Sequence, residues 1–185
     1  MHAISIPARF NGPPASGQGG YSCGVLATRL DGPASVSLRR PVPLDRELEL
    51  RPGESGGTLA FAARELVAEA APAPALAAWD GPAVGLVEAR AARRRHSPPA
   101  GAEFSHCFVR GTARENGFDI FTGPVTGTDL VASPWTPPAR AAGADGAAAP
   151  EFVWAALDCP GYFALHGDDH TSPAECLFVV PRQPE

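Results

Sequence analysis

Lysine is absent from this sequence: all 15 of its basic residues are arginine. With 21 prolines, 20 glycines and abundant alanine, this reads as a GC-rich coding bias, and no function follows from it. There is also no run of about 18 apolar residues, which argues against a membrane-spanning helix. The opening "MHAISIPARF" lacks the charged start and apolar stretch of a secretory signal. The expectation is therefore a cytoplasmic protein whose scattered cysteines, Cys23, Cys107, Cys159 and Cys176, are reduced thiols. Positive charge is scarce too. A net charge of −5 gives no long-range attraction to nucleic acid or anionic lipid, so neither is expected as a partner. The one dense basic run, Arg93-Arg94-Arg95, ends an expected helix, where cations complement the helix dipole, and reads as a solvated helix end.

What is present is enough apolar residue for a core. A chain of 185 residues with 44% hydrophobic content makes one ordinary domain, or two small ones sharing a core. "AISIPARF" reads as a short first strand. Ser16 and Gln18 then lead into an expected helix from Gly20 to Leu30, with Tyr21, Val25, Leu26 and Leu30 as its apolar positions and Asp31-Gly32-Pro33 as its stop. The period then changes to two. "ASVSLRRPVP" places Val36 and Leu38 on one face, and "RELELR" does the same with Leu48 and Leu50. Ser55-Gly56-Gly57 signals a turn, and "TLAFAA" and "LVAEAA" form an expected hairpin about Arg64-Glu65. A sheet with one face to cover needs an apolar element, and the helix is the only long one at hand.

Residues 76–103 read as a connector. Within it "VGLVEARAARRR" is an expected amphipathic helix with Val84, Val87 and Ala91 on its inner side. From Phe104 onward "SHCFVRG" and "FDIFTGPV" read as strands about Glu115-Asn116-Gly117, and "LVASPW" as another. Residues 137–149 read as a flexible loop. "PEFVWAALDCPGYFAL" reads as a helix opened by Pro150 and Glu151, which Pro160 kinks or ends. "CLFVV" is a last strand candidate. The organisation is a first unit over 1–75, the connector, and a second, shorter unit over 104–185 that echoes the first.

This arrangement resembles the hotdog fold, an α+β architecture in which an antiparallel sheet wraps a central helix. In thioesterases of that superfamily a His-Gly-Gly often opens the helix, with an asparagine shortly before it; here Asn11 precedes Gln18-Gly19-Gly20. "HCFVRG…ENGF" is similar to the "CFVCG…NPxGL" opening of PaaI-like acyl-CoA thioesterases. It keeps Cys107, Gly111, Asn116 and Gly117 and has Arg110 where that family has its second cysteine. There is a further likeness to bacterial double-hotdog proteins. The resemblance implies two tandem hotdog-like repeats, the second incomplete, and a hydrolase acting on acyl-CoA or acyl-carrier thioesters; no cofactor or metal is expected. The short second repeat would leave "PEFVWAAL" as an exposed apolar patch, so either a second chain covers it, as a homo-oligomer, or "CLFVV" reaches the sheet of the first unit. The chain departs from the pattern in two places. Gln18 replaces the histidine, and no acid lies in the first helix before Asp31.

Chemically, a thioester carbonyl develops negative charge during hydrolysis, and free N–H groups at a helix start stabilise it. Gly19, Gly20 and Tyr21 are the candidate donors, with Gln18 as a side-chain donor to the carbonyl; the bland reading of the glycines is close helix–sheet packing. Asp158, in an apolar helical run, is the candidate base: desolvation raises its pKa and suits it to activating water. If the two helices lie mouth to helix, Gln18-Gly19-Gly20 and Asp158 share one site. Asp158 as a structural carboxylate near the kink is the equal alternative. Glu151 is a weaker base candidate, and Asn11 either bonds the site loop or makes an Asx turn. Cys23 and Cys159 read as packing residues. "HGDDH" with Cys176 has metal-like spacing but reads better as a solvated loop. The alternative function is a non-catalytic acyl-CoA-binding or assembly protein on the same scaffold. A hotdog hydratase or dehydratase ranks last, because no histidine lies at the first helix.

Overall fold

A computed structural model describes residues 2–75, 81–98 and 103–166. Five strands form one antiparallel sheet: β1 (Ala3–Ser5), β2 (Ala34–Leu38), β3 (Glu47–Pro52), β4 (Thr58–Ala62) and β5 (Glu65–Pro72), in the order β1-β3-β4-β5-β2. The alternation read from the sequence sets the register. Leu50 lies opposite Ala60, Ala60 opposite Ala68, and Ala68 opposite Leu38, so one row of apolar side chains crosses four strands. A register shift between Ala60 and Phe61 leaves Val67 as an extra residue in β5, and its carbonyl accepts the N–H groups of Arg39 and Arg40. The outer face is polar: Arg51 bonds Glu49 and stacks on Phe61, and Arg39 pairs with Glu69.

Helix α1 (Gly19–Ala27) covers the inner face and stops one turn short of the expected Leu30. Ser22 and Leu26 face the sheet, lining a small cavity with Ile4, Ile6, Leu48, Ala60 and Ala68. Alanine in the middle strands keeps that face shallow, so the helix can settle onto it. The β4–β5 turn falls at Ala63-Arg64, one residue earlier than expected, and holds Ala63 at φ 56°.

The second segment departs from expectation. "SHCFVRG" and most of "FDIFTGPV" are turns and irregular backbone, and only β6 (Gly123–Pro124) and β7 (Val131–Ala132) pair. The reason lies in its turn residues. Gly111 already has Cys107 O and Ser105 O within 2.6 Å of where a Cβ would stand, so the chain coils on itself before a strand can run. Its backbone still bonds across the turn, Phe118 N–H to Phe108 O and Ile120 N–H to Val109 O. The 137–149 stretch is more ordered than expected, with a short 3-10 turn at Ala139–Ala141 and a bridge between Ala142 and Ala148.

Helix α2 (Leu86–Arg93) exists, but its inner face is Ala89 and Ala92; Val87 is 78% exposed. The cause is steric: Gly123 sits so close to the Ala92 carbonyl that only small residues fit between α2 and β6. Helix α3 (Pro150–His166) runs past Pro160 instead of ending there. It lies along α1, and that helix pair is the main junction between the two segments. Among the described residues no helix is long and apolar enough to cross a membrane. "CLFVV" and most of "HGDDH" lie outside the described residues.

Candidate functional site

Gln18 is the N-cap of α1, in extended conformation and 2% exposed. Its side-chain oxygen accepts the Tyr21 N–H at 2.6 Å, which fixes the orientation of the amide. The other end of that amide then points at α3. Gln18 Nε2 donates to Asp158 Oδ2 in a short hydrogen bond, and the Gly20 N–H donates to the same oxygen at 2.9 Å. Residues 140 positions apart thus meet at the mouth of α1. Ser22 N–H bonds the Gln18 carbonyl, continuing the helix. Only the Gly19 N–H, among the first-turn amides, meets no acceptor among the described residues.

The glycines are explained by distances. A Cβ on Gly20 would stand 2.4 Å from the Trp154 carbonyl oxygen and 2.6 Å from Asp158 Cβ, and one on Gly24 would stand 2.5 Å from Glu151 Cα. Gly20 and Gly24, one turn apart, let the α1 and α3 backbones nearly touch. The close packing is helix on helix, not helix on sheet. Gly19 differs: its Cβ would stand 3.2 Å from Asp158 Oδ2, over the carboxylate, with Leu38 Cδ1 at 3.8 Å. Glycine there keeps the approach to the acid open, beside the partly exposed end of β2.

Burial raises the pKa of Asp158 above the ordinary carboxylate range, opposed by the Gly20 N–H and by the positive charge of Arg110. A group so placed ionises reluctantly and, once ionised, is a stronger base than a surface aspartate.

The remaining candidates do not converge on this point. Tyr21 gives its N–H to Gln18, while its ring packs on Phe10, Phe108 and Phe152; burial pushes its hydroxyl up to about 12. Glu151 lies at the far end of the helix contact, against Gly24. Asn11 is buried but faces the second segment. Its Nδ2 donates to His106 O at 3.3 Å and its Oδ1 accepts from Arg114 Nη1 at 2.7 Å, so it bonds the loop rather than making only an Asx turn. Arg114 also donates to Arg9 O at 2.6 Å. The sequence reading placed Gln18 against a substrate carbonyl; here it holds Asp158.

Cys107 and Cys159 are what sequence reasoning missed. Cys159 follows Asp158 and donates its S–H to Cys107, whose sulfur also accepts the backbone N–H groups of Val109 and Arg110. These bonds, led by the one from Cys159, bring Cys107 down to about 7, while donation and burial push Cys159 well up. The Arg110 guanidinium stacks on Phe104 and Tyr162, at 4.3 and 4.7 Å from their ring centres, and its buried Nη1 has no hydrogen-bond partner. Cys23 is half-buried, and burial, with the nearby Asp158 charge, pushes its thiol up to about 12. The signal for the pair was weak: two cysteines 52 positions apart, Cys107 noted only within the family-like motif and Cys159 only as a packing residue.

No group of three or more His, Cys, Asp or Glu side chains among the described residues is placed to hold a metal ion. No family model matches this chain, and neither does any curated protein or any solved structure.

Proposed function

We propose that the chain is a hotdog-like protein that hydrolyses acyl-CoA or acyl-carrier thioesters, with Asp158 activating the attacking water. The observation that carries this reading is the half-buried Asp158 carboxylate held at the α1 mouth by the Gly20 N–H and the Gln18 amide. The sheet supports it, with α1 between β1 and β2 in the chain and laid across one face. Residues 104–166 then stand as the shortened counterpart of the first unit, keeping its helix with little of its sheet. In this reading the thioester carbonyl sits over Gly19 and accepts its N–H, the acyl chain leaves past Leu38, and the carboxylate takes the proton of the water that attacks the carbonyl carbon. Gln18 keeps the carboxylate aimed. The protein works in the cytoplasm as a homo-oligomer and needs no cofactor.

Thiol release from a panel of acyl-CoAs of graded chain length tests this. Turnover is expected, and Asp158→Asn is expected to lower it by about 10²–10⁴-fold. An inert panel, or an Asn variant at full rate, overturns it. One observation favours a second reading, a non-catalytic acyl-binding protein: the Gly20 N–H is already spent on Asp158 and offers nothing to a carbonyl. Acyl-CoA binding by calorimetry without turnover would decide for it.

A further inference from the structure

Ser22 is 4% exposed, and its hydroxyl oxygen meets no hydrogen-bond partner among the described residues. A buried hydroxyl left unpaired costs stability and calls for an explanation. It lies on the sheet side of α1 and lines the small cavity between that helix and the sheet. Every other side chain in the wall is aliphatic, Ile6, Val42 and Ala60 among them. Gly17 leaves the room beside it: a Cβ there would stand 2.7 Å from the Ser22 oxygen. The cavity holds about 10 Å³, room for one water-sized group. It is not sealed, and Leu38 in its wall is 38% exposed. The same leucine borders the acid, its Cδ1 lying 3.8 Å from where a Gly19 Cβ would stand. The cavity and the Gly19 approach to Asp158 thus share a wall. Ser22 is one turn of α1 beyond Gly19, about 4.5 Å along the helix axis.

We propose that this cavity receives the end of the acyl group and selects a short one with an oxygen on its third carbon, which Ser22 reads. The inference rests on the thioester reading and adds its substrate class. With the carbonyl over Gly19 and the chain passing Leu38, the third carbon comes level with Ser22. The terminal methyl of a four-carbon chain then fills the cavity. The Ser22 hydroxyl bonds the substrate oxygen, so the cost of leaving it unpaired disappears when that substrate binds. A plain acyl chain of the same length leaves the hydroxyl unpaired in an apolar wall and binds less well. A longer chain has no room. Ala60 and Ala68 stand opposite each other in the sheet, 0% and 4% exposed, and strand pairing holds them where they are. Volume therefore limits the length of the acyl group, and the serine sets its polarity.

The test is thiol release by the full chain from butyryl-, 3-hydroxybutyryl-, octanoyl- and palmitoyl-CoA, in the wild type and in Ser22→Ala. In the wild type kcat/KM is expected to be highest for 3-hydroxybutyryl-CoA, about 2–10-fold above butyryl-CoA, the worth of one hydrogen bond, and lowest for the long chains. In Ser22→Ala the ratio between the two four-carbon substrates is expected to fall to about one. That variant removes an unpartnered hydroxyl and adds no atom, so its urea midpoint is expected at or above that of the wild type. Equal rates for the two four-carbon substrates, faster release from the longer chains, or a preference that survives Ser22→Ala overturns this proposal and leaves the thioester reading standing. A panel that is inert throughout overturns both. If the variant fails to fold, the wild-type ratio and chain-length order decide.

Discussion

At the scale of the residue, Gly19 and Gly20 are neighbours with different duties, and two alanine substitutions separate them. Gly20→Ala pushes a methyl into the Trp154 carbonyl, which is backbone and cannot turn aside. A loss of about 1–3 kcal/mol or more in urea unfolding is expected, as for other overpacked sites. Gly19→Ala meets only the Asp158 carboxylate, at 3.2 Å, and is expected to leave stability within about 1 kcal/mol while blocking access to the acid. Thioester turnover should therefore fall in Gly19→Ala with the fold intact. Asp158 makes a pH prediction. Its folded pKa lies above its unfolded one, so the folded state binds the proton more tightly. That contribution to stability is complete below the unfolded pKa and is lost as pH rises through the folded pKa. Urea midpoints of the wild type, measured against Asp158→Asn from pH 3 upward, should show the wild type losing ground as pH increases. A flat difference would contradict the burial of the charge.

Among the elements, the β4–β5 hairpin and the second-segment loop carry the clearest consequences. Ala63 sits in the left-handed region, where a Cβ is unfavourable and glycine is at home. Ala63→Gly is expected to raise stability by up to about 1 kcal/mol, read from the urea midpoint. The loop is fastened differently. Arg114 ties the Asn11 side chain and the Arg9 carbonyl to the segment that carries Cys107, beside the bonds of Asn11 Nδ2 to His106 O and of Phe108 N–H to Asn11 O. Arg114→Met keeps the aliphatic stem and removes the donors. Faster amide exchange is expected over residues 104–118 and in the 8–18 loop, with the central strands unchanged. Uniform protection throughout would mean that the loop is held by its apolar contacts, Phe108 on Phe10 and Phe118, without the arginine.

For the molecule as a whole, α3 supplies both the lid over α1 and the acid at its mouth, so stability and site share one contact. Leu157 and Leu165 of α3 remain 42% and 61% exposed. We propose a second copy as the cover for that face, in keeping with a homo-oligomer. Sedimentation velocity is expected to give a dimer at micromolar concentration, and a monodisperse monomer would remove the proposal. Much of the first unit was legible because its signals are periodic and local. Alternating Leu48 and Leu50, the Ser55-Gly56-Gly57 turn and the small-residue helix each act within a few positions. The second segment misled for the same reason. "SHCFVRG" alternates like a strand, but Gly111 and its neighbours fold the backbone back on itself before any partner strand is reached. Val87 likewise looked like an inner residue, whereas the narrow gap at Gly123 admits only Ala89 and Ala92.

The sequence by itself determined the order of strands and helix over the first 72 residues and the need to cover one apolar face. It also marked the chemical character of Gln18, Gly19, Gly20 and Asp158 as a possible set. Tertiary structure alone decided that Asp158 reaches Gly20 N–H, that Gln18 serves the acid, and that Cys107 meets Cys159. The physical reason is distance along the chain. Periodicity and turn chemistry act over a few residues, whereas these hydrogen bonds join groups that only the packing of α1 against α3, through Gly20 and Gly24, brings together.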